Sequence, residues 1–262
     1  MKAERLDKVL SHQGFGTRKD VKKLLHKGTV TLNDSVVTDP GAHIDIDTDI
    51  LSIDGEQIKL RRDLYIMLNK CADVVCANKD GEHRTVFDLI DENLRHEFLG
   101  GELHCMGRLD IDTEGLLILT TDGQLTHRLL SPKTHVPKTY AIRLRDKLTE
   151  EQKNQYLEKF SKGFWIEPDQ NEPGFDCQPA KLVWLPSAVD TETAQNANGC
   201  DCILTIYEGK FHQVKRMFLM MKNEVVYLKR ITMGNLKLDS RLKTGEWREL
   251  EDEEIKALAM DE

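Results

Sequence analysis

Long apolar runs are missing from this 262-residue chain. The longest stretches, such as Leu116–Leu119, are far too short to cross a bilayer. No apolar core follows Met1-Lys2-Ala3-Glu4-Arg5, so export by a signal peptide is not expected. The six cysteines (Cys71, Cys76, Cys105, Cys177, Cys200 and Cys202) form no C-x-x-C pair, and their scatter is not that of a disulfide framework. They read as small packed side chains in a reducing, cytoplasmic setting. None of the nine histidines stands in an H-x-H or H-E-x-x-H arrangement, so no metal is expected. Internal repeats and low-complexity linkers are also missing. Positive charge is in deficit overall, at −8 net, which argues against a simple nucleic-acid coat.

What is present is enough for one small module and one larger domain with its own core, since 39% of residues are apolar and 31% charged. The basic residues are clustered. Within residues 1–28, Lys2, Arg5, Lys8, Arg18, Lys19, Lys22, Lys23 and Lys27 face three acids, a local +5. From Glu208 to Arg230, six basic residues face two acids, a local +4. Taken alone, either run also fits an ordinary solvated face.

Leu6, Val9 and Leu10 share one helix face, and Gly14 and Gly16 break it. Thr17 with Asp20 reads as a capping box, opening a helix with Val21, Leu24 and Leu25 inward and ending at Gly28. Strands are predicted at Thr29–Leu32, Ser35–Thr38 and Asp45–Ile53, with turns at Asn33-Asp34 and Asp54-Gly55. A link at Glu56–Asp63 is expected to separate a 1–60 module from a 61–262 domain. Beyond it, strands are predicted at Leu64–Asn69, Gly115–Thr121, Lys138–Leu144, Ala180–Leu185, Cys202–Tyr207 and Val225–Ile231. Helices are predicted at Val86–Leu99, Gln124–Leu130, Lys147–Phe160 and His212–Met221, with a polar loop at Asp190–Gly199. This order lacks a regular strand–helix–strand rhythm. It implies an α+β fold with a mixed, largely antiparallel sheet.

The segment Gly107-Arg108-Leu109-Asp110-Ile111-Asp112-Thr113-Glu114-Gly115-Leu116-Leu117 concentrates acids, an arginine and glycines ahead of an apolar strand. A loop on such a rigid mount is a common place for chemistry. Asp110 there suits a nucleophile, a base or a metal ligand, or equally an Asx-turn or a partner for Arg108.

This segment resembles the signature of pseudouridine synthases, in the subfamily that modifies bacterial ribosomal RNA. Further matches follow the family order: Thr85-Val86-Phe87-Asp88-Leu89, Lys138-Thr139-Tyr140, and Glu208-Gly209-Lys210-Phe211-His212-Gln213-Val214-Lys215-Arg216-Met217-Phe218. Residues 1–60 resemble the α-L RNA-binding module of that subfamily. The resemblance implies that Asp110 is the catalytic aspartate, that Tyr140 stacks on the target uracil and assists proton removal, and that Lys215 pairs with Asp110. It gives Arg216 a phosphate contact and Arg108 a role in holding the loop or the RNA backbone. Arg5, Arg18, Lys19, Lys22 and Lys23 become the RNA-binding residues of the module. No cofactor is implied. The expected partner is ribosomal RNA or a ribosomal subunit assembly intermediate, met by a monomer.

One departure stands out. Relatives carry Lys-Pro-x-Gly where this chain has Lys70-Cys71-Ala72-Asp73, so a looser turn is expected there. The aromatic-His-Gln form of Phe211-His212-Gln213, the run Leu228-Lys229-Arg230-Ile231 and the segment Gly245-Glu246-Trp247-Arg248 resemble the small-subunit branch, which implies a single uridine of 16S ribosomal RNA. The alternatives are a 23S target, a non-catalytic RNA-binding assembly factor, and a metal-dependent phosphodiesterase using Asp110, Asp112 and Glu114.

Overall fold

The apolar stripe of Leu6, Val9 and Leu10 is fully buried, as its spacing requires. The computed structural model describes residues 3–58, 60–91, 101–131, 133–169, 172–186 and 190–259. The chain divides into two compact units: Met1–Tyr65 with Ile90–His104 and Leu119–Gly123, and Ile66–Leu89 with Cys105–Ile118 and Gln124–Glu262.

The first unit opens with β1 (Glu4–Arg5), α1 (Leu6–His12) and α2 (Arg18–His26). The strands β2 (Val30–Leu32), β3 (Ser35–Val36), β4 (His43–Ile44), β5 (Leu51–Ile53) and β6 (Glu56–Ile58) follow. Four of them form a sheet in the order β3-β2-β5-β6, while β1 pairs with β4. The Thr17 hydroxyl caps α2 by accepting the Asp20 N–H, and it donates to the Asp20 carboxylate at 2.6 Å. Asn33 and Asp34 both adopt positive φ, as a tight two-residue hairpin demands. One core holds the unit together: Leu6, Val9, Leu10, Val21, Leu25, Val30, Ile44, Leu51 and Ile53.

Two expectations fail in this unit. Residues Asp45–Ile53 do not form one strand. Asp45 and Asp49 side chains accept backbone N–H groups of Asp47 and Asp45, so the alternating acids close a turn between β4 and β5. Residues Glu56–Asp63 are not all link, because β6 pairs with β5 and extends the sheet.

After this come β7 (Tyr65–Lys70), β8 (Val74–Val75), β9 (Arg84–Thr85), a single 3-10 turn at Val86–Leu89, β10 (His104–Met106), β11 (Glu114–Thr120) and α3 (Gly123–Leu130). Next are β12 (Lys138–Leu144), α4 (Glu150–Lys162), β13 (Phe164–Ile166), β14 (Phe175–Cys177), β15 (Lys181–Trp184), α5 (Thr191–Asn196) and β16 (Cys202–Ile206). The chain ends with α6 (Gln213–Met220), β17 (Val225–Met233), β18 (Leu236–Lys237), β19 (Trp247–Glu249) and α7 (Asp252–Ala259).

Among the described residues, nine strands form the main sheet. Its order is β15-β16-β12-β17-β11-β7-β19, with β10 on β11 and β18 on β17. Strands β11 and β17 run parallel, while β12–β16, β12–β17, β15–β16, β17–β18 and β7–β19 run antiparallel. The expected mixed sheet is therefore present. Strand β11 is buried from Gly115 to Thr120, which matches its continuous apolar run.

The Asp190–Gly199 stretch is not all loop. Asp190 caps α5 by accepting the Thr193 N–H at 3.0 Å. Of the helix expected over Val86–Leu99, residues Val86–Leu89 form the 3-10 turn, and residues 92–100 lie outside those described.

Candidate active site

The Asp110 loop is positioned from both ends. Gly115 starts the buried run of β11 with φ +98°, and a Cβ there would collide with the Arg230 carbonyl oxygen of β17. Only glycine lets β11 approach β17 this closely. Beneath the loop, Lys70 ends β7 with no exposed surface. Its ammonium donates to the carbonyls of Asp110 (3.1 Å), Ile111 (3.2 Å), Thr113 (2.9 Å) and Cys71 (3.0 Å). Burial pushes this lysine below its ordinary pKa, opposed by nearby Cys76, Cys71, Asp112 and Asp110. The Thr113 N–H closes the loop onto the Asp110 carbonyl at 3.1 Å, and the Asp73 N–H donates to the Ile111 carbonyl at 2.9 Å.

Asp73 takes φ +62°, the conformation that the glycine of the family pattern favours. Aspartate tolerates this backbone, and its N–H bridges to the Asp110 loop.

Helix α6 brings the cation. Val214, Met217 and Phe218 bury its inner face, and Phe218 packs edge-on against Phe160 of α4 with ring centres 5.1 Å apart. The Tyr156 hydroxyl donates to the Met221 carbonyl and ties down the far end. On the open face, Lys215 places its ammonium 3.1 Å from Asp110 Oδ2 and 2.6 Å from Asp112 Oδ1. Burial pushes the Asp112 carboxyl up, but the bond and charge of Lys215, a backbone N–H and nearby His212 leave it below its ordinary value. The Asp110 side chain remains 27% exposed, so a substrate can reach it.

Tyr140 is buried in β12, directly opposite Arg230 of β17, which in turn lies opposite Gly115 of β11. One row across the sheet thus relates Tyr140 to the strand that follows Asp110. Arg108 is exposed and makes no ion pair among the described residues. Arg216 points elsewhere: its guanidinium donates to the Glu167 and Pro173 carbonyls at 2.7 and 3.0 Å and covers the Phe175 ring. That geometry makes it a brace for the β13–β14 hairpin rather than a free phosphate contact. Glu114 accepts the Tyr227 hydroxyl at 2.9 Å, so Asp110, Asp112 and Glu114 do not converge as a metal set would.

In the first unit, Arg18, Lys19, Lys22 and Lys23 are exposed along α2, with Lys23 paired to Asp20 at 3.4 Å. Arg5 is exposed but bonded twice to Asp7.

Two residues of the site escaped the sequence reading. In the sequence, Lys70 shows as a charge closing an apolar strand and as the lysine of the Lys-Pro-x-Gly pattern, with no role at the site attached to it. His212, in a left-handed conformation at the start of α6, brings Nε2 within 3.7 Å of Asp110 Oδ1 and stacks on exposed Phe211. Gln213 holds that turn, donating to Glu208 at 2.6 Å and accepting the Lys210 N–H at 3.0 Å.

Comparison with known proteins identifies the family. The RNA pseudouridylate synthase family matches residues 64–220, and the S4 domain matches residues 4–50. An uncharacterized RNA pseudouridine synthase of Bacillus subtilis is 42% identical over 97% of this chain and 98% of its own. The ribosomal small subunit pseudouridine synthase A of Vibrio cholerae is 38% identical over 97% of this chain and 99% of its own. A crystal structure of a pseudouridylate synthase, 33% identical, covers 97% of this chain and 99% of that one with a TM-score of 0.61. Family, length and fold agree, and the chain belongs to the RNA pseudouridylate synthases, with an S4 domain ahead of the synthase domain.

Proposed function

We propose that the protein converts one uridine of 16S ribosomal RNA to pseudouridine, with Asp110 as its catalytic carboxylate. The observation that carries this reading is the Lys215 ammonium 3.1 Å from Asp110 Oδ2, on a loop locked by Lys70. The choice of 16S RNA is supported by full-length relatives named for the small subunit, from Vibrio cholerae and Haemophilus influenzae among others.

The reaction breaks the bond between ribose C1′ and uracil N1 and remakes it at C5. The C5 proton leaves and N1 gains one. It needs no net oxidation and no group donor. The Asp110 carboxylate assists as nucleophile at C1′ or as base toward the sugar. Tyr140 supports the detached base by stacking, worth roughly 1–3 kcal/mol, and assists removal of the C5 proton. The target uridine leaves its stack to reach Asp110. Arg5, Arg18, Lys19, Lys22 and Lys23 supply phosphate affinity independent of sequence, and Arg108 holds its loop or the RNA backbone. The protein acts as a cytoplasmic monomer on ribosomal RNA or on an assembling subunit.

The test is chemical mapping of pseudouridine in ribosomal RNA from wild-type cells, cells lacking the protein, and cells carrying Asp110→Asn. One 16S site is expected to vanish in both defective strains. Loss of a 23S site instead overturns the substrate assignment. No difference between wild type and Asp110→Asn overturns the catalytic one.

A further inference from the structure

An aromatic ring stands open beside Asp110. Phe211 is 50% exposed, more than any other phenylalanine, tyrosine or tryptophan among the described residues. Its ring stacks on that of His212, with centres 3.8 Å apart and planes 24° apart. His212 Nε2 in turn lies 3.7 Å from Asp110 Oδ1. Carboxylate, imidazole and phenyl ring therefore follow one another, and the last of them is open to solvent.

The segment that carries the ring is held from several sides. The Glu208 carboxylate accepts the Gln178 N–H at 2.8 Å and Gln213 Nε2 at 2.6 Å. Buried Gln213 accepts the Lys210 N–H at 3.0 Å through its side chain and donates its own N–H to the Lys210 carbonyl at 3.2 Å. His212 is fixed in the left-handed region, at φ 49° and ψ 27°, which a side-chain-bearing residue keeps only where its surroundings dictate it. An apolar ring left in water forgoes the energy of burial. Here a locked turn displays such a ring at the site. Lys210 next to it is exposed, a charge suited to the phosphate of a nucleotide lying on the ring.

We propose that Phe211 is the platform on which a nucleobase next to the target uridine stacks while that uridine is at Asp110. This role rests on the reading that the target uridine is delivered to Asp110.

A uridine that leaves its stack uncovers one face of each neighbouring base. Unstacked bases of RNA are held on aromatic side chains, which replace the lost contact. Phe211 is the ring at hand, because only the His212 ring separates it from the carboxylate. Tyr140 is buried in β12 and is given to the target base itself. The surroundings favour a nucleotide over an apolar protein segment. The cation of Lys210 and the imidazole of His212 flank the ring, and a cation serves a phosphate while adding nothing to an apolar contact. Stacking is indifferent to base identity, since every base has a π-face. Phe211 therefore adds affinity and orientation and leaves the choice of sequence to other contacts. A neighbour held on the ring fixes the sugar–phosphate link on one side of the uridine, and so restricts how its C1′ meets Asp110.

The experiment uses the full chain carrying Asp110→Asn as the parent, so that binding is read apart from turnover. The probe is a ribosomal RNA fragment spanning the uridine that stays unmodified in cells lacking the protein. It is made intact, or with an abasic nucleotide at one neighbour of that uridine, at the other, or at both. Adding Phe211→Ala is expected to weaken filter binding of the intact fragment about fivefold to about a hundredfold. The slope of log K against log salt is expected to stay the same, because no phosphate contact is lost. Phe211→Trp keeps a stacking face and is expected to bind as tightly as the parent. One of the two single abasic fragments is expected to bring the parent and the Phe211→Ala protein to equal affinity. An unchanged affinity of the Phe211→Ala protein for the intact fragment overturns the proposal. So does a loss that persists with both neighbours abasic. Turnover by the Asp110→Asn protein would strike the Asp110 assignment and would leave these affinities as they are, so the two failures are told apart.

Discussion

The Lys70 ammonium sits 3.1 Å from the Asp110 carbonyl oxygen, a buried charge holding the backbone of the residue whose side chain faces the site. Lys70→Met leaves four carbonyls without this donor. Each buried polar group stranded in this way costs roughly 1–3 kcal/mol, so thermal stability falls. The larger effect is on geometry. We expect kcat to drop by about a hundredfold with a much smaller change in KM, since a shift of about 1 Å in a reacting group has that effect. Steady-state kinetics on 16S transcripts checks this. A change in KM alone would place Lys70 outside the positioning of Asp110.

Lys215 bonds two carboxylates, and they are not equivalent. Asp110 is 27% exposed and Asp112 is 63% exposed. An exposed ion pair contributes about 0–1 kcal/mol. Asp112→Asn therefore lowers kcat/KM by less than about fivefold. Lys215→Met removes the charge facing Asp110 and lowers it on the order of a hundredfold, as expected for losing one preorganised electrostatic partner. Equal losses in the two variants would show that Asp112, and not Asp110, is the partner that matters.

The exposed face of α2 carries Arg18, Lys19 and Lys22 with no ion pair among the described residues. Converting the three to glutamine weakens RNA binding to a similar degree for cognate and unrelated transcripts. The slope of log K against log salt shrinks by about 0.7–0.9 for each phosphate that is no longer neutralised. Filter binding across a salt series measures both. An unchanged slope removes these residues from the RNA interface.

Much of the site was legible because its residues are local in sequence. The loop ahead of β11, the Lys138-Thr139-Tyr140 strand and the basic α6 segment each announce themselves. Long-range roles do not. Lys70 reads as a strand-end charge, and its burial depends on carbonyls that the chain supplies about 40 residues later. Lys215 and Arg216 are adjacent in sequence, yet successive helical residues differ by about 100° around the axis. Only Lys215 reaches Asp110, while Arg216 turns to the Glu167 and Pro173 carbonyls. Period-two patterning misled at Asp45–Ile53, because short acids satisfy their own backbone in a turn as readily as they decorate a strand.

Asp73 offers a backbone test. It is exposed, and its φ of +62° costs a residue with a Cβ about 1 kcal/mol. Asp73→Gly is expected to raise the melting temperature slightly while preserving turnover, since the N–H to Ile111 is kept. Asp73→Val, β-branched in the same conformation, is expected to lower it. Melting curves of the two variants give opposite signs if the turn is retained for its backbone shape. A loss of stability in Asp73→Gly would mean that the side chain matters.

Lys138 gives the pH dependence. It lies two residues before Tyr140 and donates to the Val136 carbonyl at 3.0 Å. Burial, aided by the Arg230 charge and opposed by Glu208, pushes it down to about 8. An unfolded lysine titrates near pH 10.4, as a rough reference value. Between these limits the unfolded chain binds a proton that the folded chain lacks. Stability therefore rises with pH across the window from about 8 to about 10. Below it the folded protein carries a buried charge at some cost. Lys138→Met should lose this rise, and the difference between the two stability curves cancels the titration of other groups. Denaturant unfolding at pH steps from neutral to alkaline supplies both curves. Parallel curves would mean that Lys138 holds its proton as readily in the folded chain as in the unfolded one.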